Sequence, residues 1–138
     1  MADLPTKINL TVVTRERKIL DAQVDEVVLP ATDGEIGVLP GHTPLLATLR
    51  IGPLRYRTGN TTARLVISWG FAEVLPDRVI VLAERGVLPD EIDRAQAEKD
   101  RAESERALLD LSSLDPEFRI VEARLEESIA MISVNRDM

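Results

Sequence analysis

The stretch Asp33-Gly34-Glu35-Ile36-Gly37-Val38-Leu39-Pro40-Gly41-His42-Thr43-Pro44-Leu45-Leu46 restricts this chain more than any other part of it. Glycine reaches positive φ without steric cost and proline locks φ near −65°, so three glycines and two prolines in fourteen positions dictate a series of turns. The loop is therefore shaped. Ile36, Val38, Leu39, Leu45 and Leu46 read as short buried strands between the turns, and Glu35 and His42 as polar groups at the turn edges. Function is expected here first.

The segments around the loop have the period of strands. Ile8, Leu10 and Val12 alternate with Asn9, Thr11 and Val13, and short strands are predicted at Ile19-Leu20 and Val24 to Leu29. Leu45 to Leu49 and Leu54 to Thr58 follow, and Gly59-Asn60 turns the chain into Arg64 to Trp69, with Leu65, Ile67 and Trp69 on one face. Gly70 permits a bend or bulge before Phe71 to Leu75, and Pro76-Asp77 leads to Val79 to Ala83. Turn signals so closely spaced predict an antiparallel sandwich or barrel for the first 85 or so residues.

After Pro89 the period changes. Asp90, Glu91 and Asp93 favour a helix start, and a helix is predicted to about Leu111 with a thin seam of Ala95, Ala102 and Leu109. Asp115-Pro116 reads as an N-cap with proline at the first helical position, opening a second helix whose stripe is Phe118, Val121, Leu125, Ile129 and Ile132. A connection of about four residues folds the two back on each other. The expected fold is α+β: an antiparallel β-sandwich over residues 1–86 followed by an antiparallel helical hairpin over 87–138.

Composition limits what such a chain does. Only 3% of its 138 residues are aromatic, so the core is aliphatic, and the absence of cysteine removes disulfides, thiolate metal sites and thiol nucleophiles. No stretch approaches the roughly 18 apolar residues that span a bilayer, and Met1-Ala2-Asp3-Leu4-Pro5 has neither a basic start nor an apolar signal core, so a soluble, unprocessed chain is expected. The charge of −7 falls entirely beyond residue 89, because residues 1–89 hold ten acids and ten bases. An acidic tail does not follow a phosphate backbone, which argues against nucleic acid.

Glu35 and the single histidine, His42, could serve as an acid–base pair, but no elbow serine, metal-spaced cluster or phosphate loop supplies the rest of an enzyme. A histidine after Pro-Gly is more commonly a turn residue bonded locally. The residues by themselves thus leave a stand-alone β-sandwich adaptor with a helical interaction tail or a small hydrolase using His42.

The loop from Asp33 to Leu46, together with Trp69-Gly70-Phe71-Ala72-Glu73-Val74 and Val79-Ile80-Val81-Leu82-Ala83-Glu84, resembles the epsilon subunit of bacterial and chloroplast F-type ATP synthases. The resemblance implies a non-catalytic subunit of the rotor stalk, held by the gamma subunit and seated on the membrane ring. Glu35 and His42 match the positions at which the family's loop docks on that ring. It also implies a location peripheral on the cytoplasmic face of the bacterial inner membrane, or on the stromal face of the thylakoid. The family's second role is inhibition of ATP hydrolysis, in which the hairpin opens toward the catalytic subunits; a net negative tail facing an acidic partner segment would oppose it. Ile92-Asp93-Arg94-Ala95-Gln96-Ala97 is similar to the motif Ile/Leu-Asp-x-x-Arg-Ala that binds regulatory ATP in some members. Gln96 stands in place of the arginine, so the nucleotide-binding set Ile92, Asp93, Gln96 and Ala97 is incomplete and no cofactor is expected.

Overall fold

Ile8, Leu10 and Val12 form the buried face of β1 (Ile8–Val13) in the computed structural model, which describes residues 4–135. Seven strands follow: β2 (Lys18–Val24), β3 (Glu26–Ala31), β4 (Gly34–Val38), β5 (Leu45–Leu49), β6 (Gly52–Thr58), β7 (Thr61–Leu75) and β8 (Arg78–Val87). All neighbouring strands pair antiparallel except β1 and β8, which run parallel from Asn9↔Arg78 to Val13↔Leu82. The hairpin with β7 fixes the direction of β8, and β1 adds to its free edge.

The 15-residue β7 joins the two layers of the sandwich. One edge pairs with β8 from Val66 to Leu75, while the other pairs first with β6 (Gly52↔Ile67) and then with β5 (Leu49↔Gly70). The strand changes layer at Trp69 and Gly70, whose φ angles are 51° and 151°. Only a glycine fits there, because a Cβ at Gly70 would lie 2.1 Å from the Leu82 carbonyl oxygen. The bend also shifts the side-chain phase: Leu65 and Ile67 point into the core before it, Ala72 and Val74 after it. Trp69, expected beside Leu65 and Ile67, is therefore outside.

The core is aliphatic, with Ile8, Leu10, Leu29, Leu54, Leu65 and Ile67 its largest fully buried side chains. Each contributes about 1.5–3 kcal/mol by burial. The apolar residues of the loop are a correction to the expected buried strands: Val38 is enclosed and Ile36 half-buried, but Leu39, Leu45 and Leu46 are exposed. β4 pairs only with β3 and β5 chiefly with β7, so no ladder closes the gap between β4 and β5. The leucines stand at that open end.

A single 3-10 turn, Pro89–Glu91, links sandwich to hairpin. Its Glu91 carboxylate accepts from the Leu88 N–H at 2.8 Å and from Arg17 Nη2 at 2.7 and 2.8 Å, which holds it below the usual carboxylate range. Helix α1 (Arg94–Asp110) starts at Asp93, whose carboxylate accepts from the Gln96 N–H at 3.1 Å. Helix α2 (Pro116–Asn135) starts as the sequence predicts, Asp115 accepting from the Glu117 N–H at 2.9 Å.

The seam between the helices is turned by about two residues from the expected one. On α1 the buried residues are Ala97 and Ser104, whereas Ala95 and Ala102 are exposed and Leu109 is 86% exposed. Phe118, Val121, Leu125 and Ile132 of α2 are half-buried as expected, but Ser128 is enclosed and Ile129 is largely outside. Both serines are small enough for close helix approach. Ser128 Oγ donates to the Leu125 carbonyl at 2.8 Å, while Ser104 Oγ finds no partner among the described residues. The hairpin lies folded on the sandwich, Ala130 and Val134 packing on Val66 with Val87, Ile92 and Met131 at the margin. Arg136, a base that follows α2 in the sequence, lies outside the described residues.

Candidate functional site

The tip of the sandwich is built from two turns. Gly34, at φ 133°, closes the β3–β4 hairpin, and Gly41, at φ 87°, makes the second turn, which the Gly41 N–H ties to the Pro76 carbonyl at 2.8 Å. Glu35 lies in β4 opposite Pro30, exposed, its carboxylate accepting from Arg55 Nη1 at 3.3 Å. His42 is half-buried in the second turn; its N–H donates to the Leu39 carbonyl at 3.2 Å and its ring Nδ1 donates to the Thr43 carbonyl at 2.6 Å. That bond requires a proton on Nδ1, since a carbonyl oxygen only accepts.

Among the described residues no hydrogen bond or ion pair joins Glu35 to His42. Glu35 is engaged by Arg55 of β6 and His42 within its own turn, so the pair is not assembled as an acid–base dyad. The residues around them suit contact instead. A cleft of about 310 Å³ between β4 and β5 is lined by Asp33, Glu35, Ile36, Leu45, Leu46 and Thr48, and Leu39 is 54% exposed nearby on the same loop. A rigid tip with apolar knobs and a few polar groups is suited to gripping another polypeptide.

A second surface escaped the reading by alternation. On the outer face of one layer Thr48, Phe71, Leu82 and Val13 stand in register across β5, β7, β8 and β1. Phe71 is 54% and Leu82 55% exposed, and Trp69 stands beside them, bordering a groove of about 640 Å³ with Thr14, Arg15 and Glu84. Three large apolar side chains together on a small protein mark an interaction face. The available signal was Gly70: a bend there puts one half of β7 out of phase with the other.

The four residues of the incomplete nucleotide motif have structural partners. Ile92 packs with Val66, Ala130 and Val134, Asp93 caps α1, and Ala97 is enclosed in the helical seam. Gln96 Nε2 donates to Asp100 Oδ1 at 2.9 Å, and Arg124 Nη2 donates to the same oxygen at 3.0 Å. Those bonds hold Asp100 below the usual aspartate range, so the place of the missing guanidinium is next to an ionised carboxylate. No group of three or more metal-ligating side chains occurs among the described residues, nor is any helix there long and apolar enough to cross a membrane.

Comparison with known proteins extends these observations over nearly the whole chain. A family described as ATP synthase, Delta/Epsilon chain, beta-sandwich domain matches residues 7–89. "ATP synthase epsilon chain 2" of Syntrophotalea carbinolica is 40% identical over 128 residues, 93% of each chain. The ATP synthase epsilon chain of Syntrophobacter fumaroxidans is 43% identical over 128 residues, covering 93% of this chain and 95% of its own. Among solved structures, a chain of the Euglena gracilis mitochondrial ATP synthase, OSCP/F1/c-ring in rotational state 1, superposes with a TM-score of 0.81 at 29% identity, over 96% of this chain and 83% of that one. A chain of the Tetrahymena thermophila central stalk and c-ring shares the fold, with a TM-score of 0.63 at 16% identity.

Proposed function

We propose, since the chain belongs to the delta/epsilon chain family of ATP synthases, that it is a non-catalytic rotor-stalk subunit of an F-type ATP synthase. In this role it joins the gamma subunit to the membrane ring during proton-driven ATP synthesis. The observation that carries the reading is the extent of the similarity, 93% of the chain, which takes in the hairpin as well as the sandwich. The apolar row around Phe71 and Leu82 suits the gamma subunit, and the tip bearing Glu35, His42 and the three exposed leucines suits the ring. The chain is then peripheral to a membrane complex, on the cytoplasmic face in a bacterium or the stromal face in a plastid. An opened hairpin would reach the catalytic subunits and restrain hydrolysis.

Replacing Glu35 and His42 together by alanine is the test of the tip. Their side-chain bonds lie at the surface, so the isolated variant is expected to keep its stability within about 0.5 kcal/mol. Proton coupling in the reassembled complex is expected to fall. Unchanged coupling would remove the two side chains from the contact.

No nucleotide cofactor belongs to this reading. Asp93 and Gln96 are engaged by the helix start and by Asp100, which is itself paired with Arg124. Isothermal titration of the isolated chain with ATP is expected to show no binding in the micromolar range, and Gln96→Arg to strengthen whatever binding exists. Micromolar affinity in the unmodified chain would overturn the expectation.

A further inference from the structure

The hairpin meets the sandwich through very little apolar surface, Val66, Ala130 and Val134 being the fully buried residues of that contact. One ionisable side chain stands at the same boundary. Glu127, on α2, is only 13% exposed, and Arg85 of β8 bonds it at 3.2 Å to Oε1 and 3.1 Å to Oε2. Arg85 itself is 61% exposed. The carboxylate is thus largely shielded from water while its partner stays in it.

The surrounding charges are engaged elsewhere or further along the groove. Arg55 of β6 bonds Glu35, Arg57 bonds Glu26 and Asp25, and Glu91 of the linker bonds Arg17. Asp100 of α1 takes bonds from Gln96 and Arg124, Arg119 lines the same groove of about 620 Å³ as Glu127, and Arg64 stands on β7. Trp69 forms the floor of that groove beside Arg85.

We propose that Glu127 is a proton-operated release element, whose ionised form holds the hairpin loosely and whose protonated form seats it firmly on the sandwich. An opened hairpin would return the carboxylate to water, where ionisation costs nothing. In the closed form the carboxylate loses that hydration and gains one partner weakened by solvent, and such a pair recovers little of the desolvation. Burial pushes the Glu127 carboxyl up from its ordinary value, outweighing the opposite pull of Arg85. The sign follows by linkage: the closed form takes up the proton more readily than the open one, so closure strengthens as pH falls through the raised range and weakens as pH rises. This inference concerns the isolated chain and stands apart from the rotor assignment.

The chain has one tryptophan and no cysteine, so Ser113→Cys in the interhelical loop accepts a single dye, and energy transfer from Trp69 reports whether the hairpin is down. Transfer in the full-length labelled protein is expected to rise as pH is lowered from about 8 to about 5, with a midpoint above the ordinary glutamate value. Glu127→Gln is expected to show high transfer without that titration. Arg85→Ala is expected to lower transfer at neutral pH and to regain it on acidification. Circular dichroism verifies that each variant remains folded. Lower transfer in Glu127→Gln would show that the ion pair is a net clamp, and an unchanged titration in that variant would assign the proton to another group; either result overturns the proposal.

Discussion

Gly70→Ala is expected to destabilise the sandwich by about 3 kcal/mol or more, read as a lower urea midpoint of the isolated protein. Two independent faults cause it. At φ 151° the backbone is in a region that L-residues avoid, and the added methyl would meet the Leu82 carbonyl oxygen at 2.1 Å and Ala83 Cα at 2.8 Å. Those atoms belong to the backbone of β8, so no side chain can swing aside. The strand would have to part from its neighbour where β7 passes between layers, opening the core on both sides. Gly37→Ala is the control, with open space at the Cβ position, and is expected to change stability by less than about 1 kcal/mol. Similar losses in the two variants would show that the bend tolerates a side chain.

The second large effect is expected at the outer face. Phe71→Thr with Leu82→Thr removes the two large exposed apolar members of the cross-strand row and retains residues that favour strands. Because both side chains are more than half in water, the isolated protein is expected to lose about 1 kcal/mol at most. Affinity for the isolated gamma subunit is expected to fall about 100-fold or more, as when central aromatic and aliphatic anchors of an interface are cut back. A binding isotherm unchanged by the double substitution would mean that gamma uses another face.

Strand and helix content was legible because it rests on period. Ile8, Leu10 and Val12 alternate in a strand paired on both sides, and Asp115-Pro116 starts α2 by local capping that needs no partner. What could not be read depended on tertiary placement. Trp69 continues the alternation of Leu65 and Ile67 in sequence, but the bend at Gly70 changes the phase of β7 and turns the ring outward. Apolar character points to an α1 seam along Ala95, Ala102 and Leu109, yet the buried positions are Ala97 and Ser104, both small. Leu45 and Leu46 look like core in any window of sequence; they are exposed because β4 and β5 diverge. The loop's place at one end of the sandwich was readable from its turns, whereas the separation of Glu35 from His42 into different bonding groups was not.

If this chain works as a fixed part of a rotary ATP synthase, affinity purification of the tagged full-length chain from its native membranes under mild detergent brings the complex with it. Mass spectrometry of the bound fraction is expected to find the gamma subunit, the catalytic subunits and the ring together, and to lose them when the bait carries Phe71→Thr and Leu82→Thr. Recovery of the folded chain alone, or with partners unrelated to an ATPase, would mean that the chain is not part of such a complex.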